Sequence, residues 1–183
     1  MILSLDISTT TVGLSIIQKN NVVLFHAIEL KKEKSLYDKL DVLKKYFNED
    51  NDFKCYKKKI KEIRVEQFLM NFRRGFSSAS TITKLAGFNT AVRWMMYDLF
   101  SLRPYSINPV SARSSLGINL VKDEDTKEQV MKWVETVHKI NLPTKIMKGG
   151  PNKGKTVRHP SANDIADAIV IGLVTDKSIL VED

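Results

Sequence analysis

The chain has 183 residues, a length that suits one domain with a substantial hydrophobic core. Its formal net charge is +8, from 29 Lys and Arg against 21 Asp and Glu, which favours a polyanionic partner such as nucleic acid. The single Cys55 excludes an intramolecular disulfide, and no Cys and His spacing suggests zinc. The first residues lack a basic region and already carry Asp6, so we expect no signal peptide, and no apolar run approaches the roughly 20 residues that span a bilayer. We therefore expect a soluble, cytoplasmic protein without a membrane partner.

Three short strands open the chain. Residues 1–7 form an almost continuously apolar run, typical of a buried strand, and residues 12–18 and 22–30 follow after polar turns. Strands joined by such short turns predict an antiparallel meander. Asp6 lies near the end of the first strand. A buried carboxylate is costly there unless it is paired, binds a cation or caps the next turn.

A helix and a fourth strand come next. The amphipathic pattern of residues 35–48 predicts a helix, and residues 63–68 form a strand that carries Glu66, a second carboxylate in a run that should be half buried. Between them lies a basic cluster, which suits either phosphate contacts or a solvated surface: Lys54, Lys57, Lys58, Lys59, Lys61 and Arg64.

A polar loop follows the glutamate strand and combines basic with aromatic side chains. These residues are Phe68, Phe72, Arg73, Arg74 and Phe76. The composition suits stacking on exposed bases while phosphates are held, and the aromatic residues would equally serve as ordinary core anchors. The loop is therefore a candidate nucleic-acid contact.

The second half of the chain is mostly helical. Patterns predict helices over residues 78–100 and 125–140, with a short strand at residues 105–108. Residues 145–159 hold too many glycines and charges to pack, and we expect them to be irregular. We expect the tail after Asp176 to fray.

The last predicted helix, residues 161–173, carries two aspartates. Ser161 suits the N-cap position, and the apolar residues form one stripe at helical spacing. Asp164 and Asp167 are three residues apart and so lie on one side of the helix. They are either surface residues that offset the helix dipole or part of a site completed by carboxylates elsewhere.

Four carboxylates thus occupy particular places: Asp6, Glu66, Asp164 and Asp167. If the intervening helix is a crossover, the first and fourth strands lie side by side and the last helix packs over their end. Four adjacent carboxylates need cations, and oxygen ligands without Cys or His select Mg²⁺ or Mn²⁺. Two such ions, about 3.5–4 Å apart, suit in-line attack of water on a phosphodiester. The sequence therefore predicts a nuclease that needs no small-molecule cofactor.

The motifs around these acids resemble a known family. Leu3-Ser4-Leu5-Asp6, Val65-Glu66-Gln67-Phe68 and Asp164-Ile165-Ala166-Asp167-Ala168 look like the acidic motifs of the RuvC family of Holliday junction resolvases. The resemblance implies an α/β, ribonuclease H-like fold in one domain, residues 1–183. Its sheet would be mixed and five-stranded, three antiparallel strands and then parallel ones, flanked by helices. The four acids would be metal ligands.

Two further segments extend the resemblance. Ile107-Asn108-Pro109, followed by Gly117, and Thr126-Lys127-Glu128-Gln129-Val130 look like the family's next blocks. The match implies a catalytic role for Lys127 near the scissile phosphate, and a looser match suggests Arg113 as a second such cation. The family wedges the junction centre with an aromatic residue, for which Phe68 is the candidate and Phe72 or Phe76 the alternates.

The resemblance also implies partners. The family acts on branched DNA, the four-way junction, as a homodimer that hydrolyses paired phosphodiesters. The long helix over residues 78–100 is a candidate dimer face, because its apolar positions are too many for one side.

The sequence departs from the family in two places. Ile7-Ser8 replaces the usual Pro-Gly after the first aspartate, and residues 145–159 are longer than in typical bacterial members. These departures fit a divergent phage, viral or organellar member with broader activity on branched DNA. Its added DNA contacts would be Lys148, Lys153, Lys155 and Arg158.

Three other interpretations stay open. A related nuclease could act on flaps or RNA–DNA hybrids, and a non-catalytic nucleic-acid-binding module could use the same fold. The segment Asp6-Ile7-Ser8-Thr9-Thr10, followed by Gly13, also resembles the first phosphate-binding hairpin of the sugar kinase, actin and chaperone ATPase superfamily, whose members need two such domains.

Overall fold

The computed structural model of the chain describes residues 1–68 and 79–182. The loop residues Phe72, Arg73, Arg74 and Phe76 lie outside the described residues, so their predicted contacts with DNA stay predictions. No helix in the described ranges has the length and apolar character needed to cross a membrane.

Among the described residues, a mixed sheet of six strands forms the centre of the fold, in the order β3-β2-β1-β4-β5-β8, where β8 is Leu180–Glu182. Its first five strands in chain order are β1 (Ile2–Ile7), β2 (Thr11–Gln18), β3 (Asn21–Glu29), β4 (Glu62–Glu66) and β5 (Tyr105–Ile107). The first three pair as the predicted antiparallel meander, and β4 and β5 continue the sheet parallel to β1. The predicted fold class is confirmed.

The sixth strand, β8 (Leu180–Glu182), corrects the prediction of five strands and a frayed tail. A 3₁₀ turn, Lys177–Ile179, is capped by Asp176 and leads the chain back to the sheet. There Val181 pairs antiparallel with Ser106 of β5. A strand of three residues gives almost no periodic signal, but it covers a sheet edge that would otherwise stay unpaired.

Helices cover both faces of the sheet. One face carries α1 (Leu36–Glu49), α2 (Asn51–Lys57) and α3 (Ala79–Phe100). The other face carries α4 (Pro109–Ser115), α5 (Thr126–His138) and α6 (Ala162–Leu173). Each face has its own hydrophobic core, so the sheet lies between two separate layers of apolar side chains.

The period-2 alternation of β1 decides which side chains meet which layer. Leu3 and Leu5 are fully buried in the core under α1 and α3. Ser4 points the other way, and its Oγ lies 2.6 Å from Oγ of Ser15 on β2. The Ser15 hydroxyl in turn donates to the carbonyl of Ala168 in α6 at 3.2 Å. The even-numbered residues of β1 therefore face α6.

Helix α6 is buried on nearly all sides, rather than along the single stripe that the sequence predicts. Ile165 and Ile169 are buried, and so are Ala166 and Val170. The reason is that α6 lies between the sheet and the helices α4 and α5. Ser161 occupies the predicted N-cap position but makes no side-chain capping hydrogen bond.

Arg64 does not belong to the exposed basic cluster in which the sequence placed it. The residue is 3% exposed. Its Nη1 donates to the carbonyl oxygens of Gly172 at 3.1 Å and Val174 at 2.5 Å, at the end of α6, and its Nε donates to Glu62 at 2.6 Å. Arg64 therefore satisfies the free carbonyls at the C-terminus of α6, where a cation also suits the helix dipole.

The glycine-rich basic stretch is also more ordered than expected. It forms an antiparallel hairpin of β6 (Thr144–Ile146) and β7 (Thr156–Arg158). Gly150 and Gly154 have positive φ angles of 74° and 83° in the connection, a conformation that suits glycine. The glycines thus build a turn here.

Candidate active site

Two carboxylates lie side by side where β1 and β4 end. The parallel register pairs Leu5 with Val65, so the next residues, Asp6 and Glu66, are neighbours across the two strands. Alternation points both toward the α6 layer. Their carboxyl groups share a hydrogen bond. Ligands of open α/β sheets commonly bind outside such carboxyl ends of strands.

Gly13 lets α6 bring its aspartates close to this pair. It is the partner of Asp6 across β1 and β2. A Cβ atom on Gly13 would lie 2.1 Å from the carbonyl oxygen of Asp164, which is far closer than atoms pack. The side chain of Thr11 adds a hydrogen bond to the Asp164 carboxylate. Sequence reasoning missed both positioning roles, because neither involves neighbours in the chain.

The pKa values of three of the acids report their crowding. Burial raises the pKa of Asp6 well above its ordinary value, and the charges of Glu66, Asp167 and Asp164 raise it further. Burial, with the charge of Glu66, raises the pKa of Asp167 to about 7. Burial also raises the pKa of Asp164, which the charge of Lys127 opposes. The cluster as it stands favours protons or another source of positive charge.

The two predicted cations lie at the edge of this cluster. Lys127 is exposed in the first turn of α5, and its charge lowers the pKa of both α6 aspartates. Arg113, in the last turn of α4, does the same for Asp167. Asp125 caps α5 by accepting hydrogen bonds from the backbone N–H groups of its first turn at 2.7 and 3.1 Å. The structure therefore brings the four acids and both cations together.

The backbone of the whole chain is similar to solved structures of another protein. Thermus thermophilus RuvC in complex with a Holliday junction substrate superposes with a TM-score of 0.62 and 14% sequence identity, over 94% of this chain and 90% of that one. The Thermus thermophilus RuvC structure gives a TM-score of 0.57 and 14% identity, over 94% and 91%. The chain has a RuvC-like fold. No protein-family model and no curated protein matches the sequence.

Of the three aromatic residues proposed to contact the junction, Phe68 is the one that the structure describes. It is partly buried, two residues beyond Glu66. Its neighbour Gln67 donates its backbone N–H to the carbonyl of Ile107 at 2.8 Å, and the side chain of Asn108 donates to Gln67 at 3.4 Å. These bonds fix the backbone directly after Glu66.

The predicted DNA contacts on the hairpin divide into two kinds. Lys148, Lys153 and Lys155 are exposed. Arg158 instead donates from both Nη atoms to the two carboxylate oxygens of Glu135 at 2.7 Å, and from Nε to Glu128 at 3.1 Å. Much of its charge is thus neutralised within the protein.

The donor set of the RuvC-fold site suits a hard cation. Within residues 1–68 and 79–182, no group of three or more His, Cys, Asp and Glu side chains is arranged to hold a metal ion as it stands. The carboxyl groups of Asp6 and Glu66 instead share a hydrogen bond. The four side chains nevertheless offer only carboxylate oxygens, the ligands that Mg²⁺ and Mn²⁺ prefer, and burial together with neighbouring carboxylate charge raises the pKa values of Asp6 and Asp167.

Proposed function

We propose that the protein is a metal-dependent endonuclease that resolves four-way DNA junctions by paired phosphodiester hydrolysis. The observation that carries the proposal is the convergence of Asp6, Glu66, Asp164 and Asp167 at one end of a RuvC fold. The net charge of +8 supports a nucleic-acid substrate. The RuvC of Thermus thermophilus is described in complex with a Holliday junction, and we extend that class of substrate to this chain.

The four carboxylates are the proposed ligands of two Mg²⁺ or Mn²⁺ ions. The bound metal would supply positive charge at the scissile phosphate and lower the pKa of the attacking water.

The remaining residues would bind and orient the DNA. Lys127 extends from the start of α5 beside the acids, so its ammonium group can pair with the scissile phosphate, and Arg113 offers a second cation. Phe68 begins the loop that would stack on unpaired bases at the branch point. All three act by holding the substrate against the carboxylates.

A homodimer would place two such sites on one junction. Helix α3 packs Phe88, Val92 and Met96 into the hydrophobic core that it shares with α1, α2 and the sheet. It exposes 67% of Trp94 and 48% of Tyr97 on its other side. Exposed aromatic side chains of this size are typical of protein interfaces, which supports α3 as the dimer face.

The test is cleavage of a labelled synthetic four-way junction, beside its linear duplex arms, with Mg²⁺, Mn²⁺ or chelator. We expect paired nicks near the branch point, lost with chelator. Asp6→Asn should reduce cleavage by more than the roughly 10–100-fold that loss of an outer-shell partner of a metal costs. Asp41→Asn, an exposed acid on α1, is the matched control and should cleave normally.

Two outcomes would contradict this function. Tight junction binding without cleavage in either metal would indicate a non-catalytic binding module. Preferential cleavage of a flap or an RNA–DNA hybrid at matched salt would indicate a related nuclease with another substrate.

A further inference from the structure

The hairpin β6–β7 carries a concentration of unpaired positive charge. No Asp or Glu occurs between Glu135 and Asp164, a segment that contains six Lys and Arg residues. Four of these are exposed lysines of the hairpin: Lys145, Lys148, Lys153 and Lys155. None of the four forms an ion pair with an acid in the part of the chain that the structure describes. Their charges are therefore free to meet an external polyanion.

The base of the hairpin is fixed to α5 by half-buried polar contacts. Arg158 holds Glu135 through two hydrogen bonds of 2.7 Å, a fork geometry that is among the stronger ion pairs. Glu135 also accepts from the backbone N–H of Leu142 at 3.2 Å, so it contacts the chain on both sides of the hairpin. The N–H of His159 donates to the carbonyl of Pro143 at 2.9 Å. Because an isolated two-stranded hairpin is marginal in water, this anchor sets its direction.

The same base adjoins the acid cluster. A cavity of about 230 Å³ lies between the first turn of α5, the end of β7 and the first turn of α6, with Lys127, Glu128, His159 and Asn163 in its wall. The side chain of Asn163 donates to the carboxylate of Asp167 at 3.2 Å. A DNA strand that leaves the acids along Lys127 therefore passes the foot of the hairpin.

We propose that the hairpin is an arm that binds the phosphates of the duplex next to the branch point, and that Arg158 is a positioning residue which sets its angle. The inference rests on the proposed function and names the part of the DNA that this arm holds. The paired backbone from Thr144 to Met147 spans about 13 Å at roughly 3.3 Å per residue, or about four base pairs at 3.4 Å per pair, and the turn lies beyond it. The four lysines therefore lie on an arm long enough to meet several phosphates.

The first test compares two triple variants of equal charge. The arm variant is Lys148→Gln, Lys153→Gln and Lys155→Gln, and the control changes Lys34, Lys44 and Lys45 to Gln, which are exposed on or just before α1. Both are made in an Asp6→Asn background, so that binding is measured without cleavage. Affinity is measured over a range of salt for a four-way junction and for a linear duplex of about 20 base pairs.

We expect the arm variant to bind both DNAs about tenfold or more weakly at moderate salt. The slope of log K against log salt should fall in magnitude by about 0.9 for each phosphate that the arm no longer neutralises. The control should change affinity less than about twofold, since general attraction is reduced equally in both proteins.

The second test separates position from charge. Glu135→Ala makes the net charge one unit more positive, so charge alone predicts tighter DNA binding. Release of the hairpin predicts weaker binding with an unchanged salt slope, because all four lysines remain. Glu49→Ala, an exposed acid of α1, makes the same charge change at a distance and should bind no more weakly than the parent. Glu135→Gln, which keeps an acceptor, should recover part of the loss.

The outcomes distinguish this inference from the proposed function. If the wild type cleaves junctions while the arm and control triples bind alike, the arm is refuted and the nuclease stands. Tighter binding by Glu135→Ala would refute the positioning role of Arg158. A loss seen with RNA duplexes and not with DNA would refute the choice of DNA. A wild type that neither binds nor cleaves branched DNA would overturn both proposals.

Discussion

The acid cluster and the hairpin are neighbours in the chain, yet they treat charge in opposite ways. Only the short connection 159–161 separates β7 from α6. On one side, carboxylates are buried together, and the pKa of Asp167 rises to about 7. On the other, exposed lysines stand without acidic partners among the described residues. Burial makes the first charges dependent on bound cations, and exposure leaves the second charges ready for a polyanion.

The comparison separates phosphodiester cleavage at the acid cluster from DNA binding by the hairpin. One variant should change the first without weakening the second. Asp167→Asn removes a proposed metal ligand together with a negative charge. We expect cleavage to fall by more than the roughly 10–100-fold cost of an outer-shell change, while junction affinity stays equal or rises. Gel-based cleavage and binding assays of the same preparation measure both. Equal losses in binding and cleavage would contradict the separation.

Metal binding offers a test that needs no DNA. If the acids hold the ions, Mg²⁺ or Mn²⁺ at about 100 times its Kd should stabilise the wild type by about 2.7 kcal/mol. Thermal or urea unfolding with and without metal measures this. Asp167→Asn should lose most of the effect, and the Lys148, Lys153 and Lys155 triple variant should keep it. A shift that is equal in all three proteins would indicate ions bound elsewhere.

The close approach at Gly13 predicts a loss of both stability and activity. In Gly13→Ala, the new Cβ meets the backbone of Asp164, so α6 must move; overpacking of this kind costs about 1–3 kcal/mol. Gly87→Ala is the control, because nothing lies within 4 Å of its Cβ position in α3. Alanine in that helix should be neutral or stabilise by up to about 1 kcal/mol. Urea unfolding and cleavage rates would show whether the two substitutions differ in sign.

The anchor of the hairpin should give the smallest effect, and it should depend on pH. Hydrogen bonding from Arg158 lowers the pKa of Glu135 below its usual 4.5. The pair therefore contributes its full stability above pH 4.5 and loses it as the pH falls through the lower folded-state pKa. At pH 7 we expect Glu135→Gln to cost about 1 kcal/mol or less, since both side chains are partly exposed. Urea unfolding at pH 7 and pH 3 should show this difference shrinking in acid.

The sequence predicted those parts of the molecule that local rules decide. A crossover helix predicts that the first and fourth strands, with Asp6 and Glu66, lie side by side, and helical spacing predicts Asp164 and Asp167 on one side of the last helix. The capping box of α1 likewise agrees with the predicted start, since Asp38 and Ser35 bond reciprocally. These features depend on residues within one or two turns or strands of each other.

The corrections come from contacts between distant parts of the chain. Arg64 is a charged residue of the kind usually found on the surface. Its carbonyl partners lie more than a hundred residues later in the chain. The hairpin is anchored by the ion pairs of Arg158 with Glu128 and Glu135 on α5. The requirement for glycine at position 13 arises only because the backbone of Asp164 packs against it. No propensity or periodicity carries this information, because each contact exists only in the folded chain.

The position of Arg64 has a consequence for precision in the candidate active site. Strand β4 carries Glu66 among the acids and Arg64, two residues earlier, against the last carbonyls of α6. Helix α6 is therefore attached to the sheet near both ends, at Gly13 under Asp164 and at Arg64 under the last carbonyls, about 12–15 Å further along at 1.5 Å per residue. A helix supported at two points cannot pivot about either one. The spacing of the carboxylates is thereby controlled by a guanidinium group that never touches them.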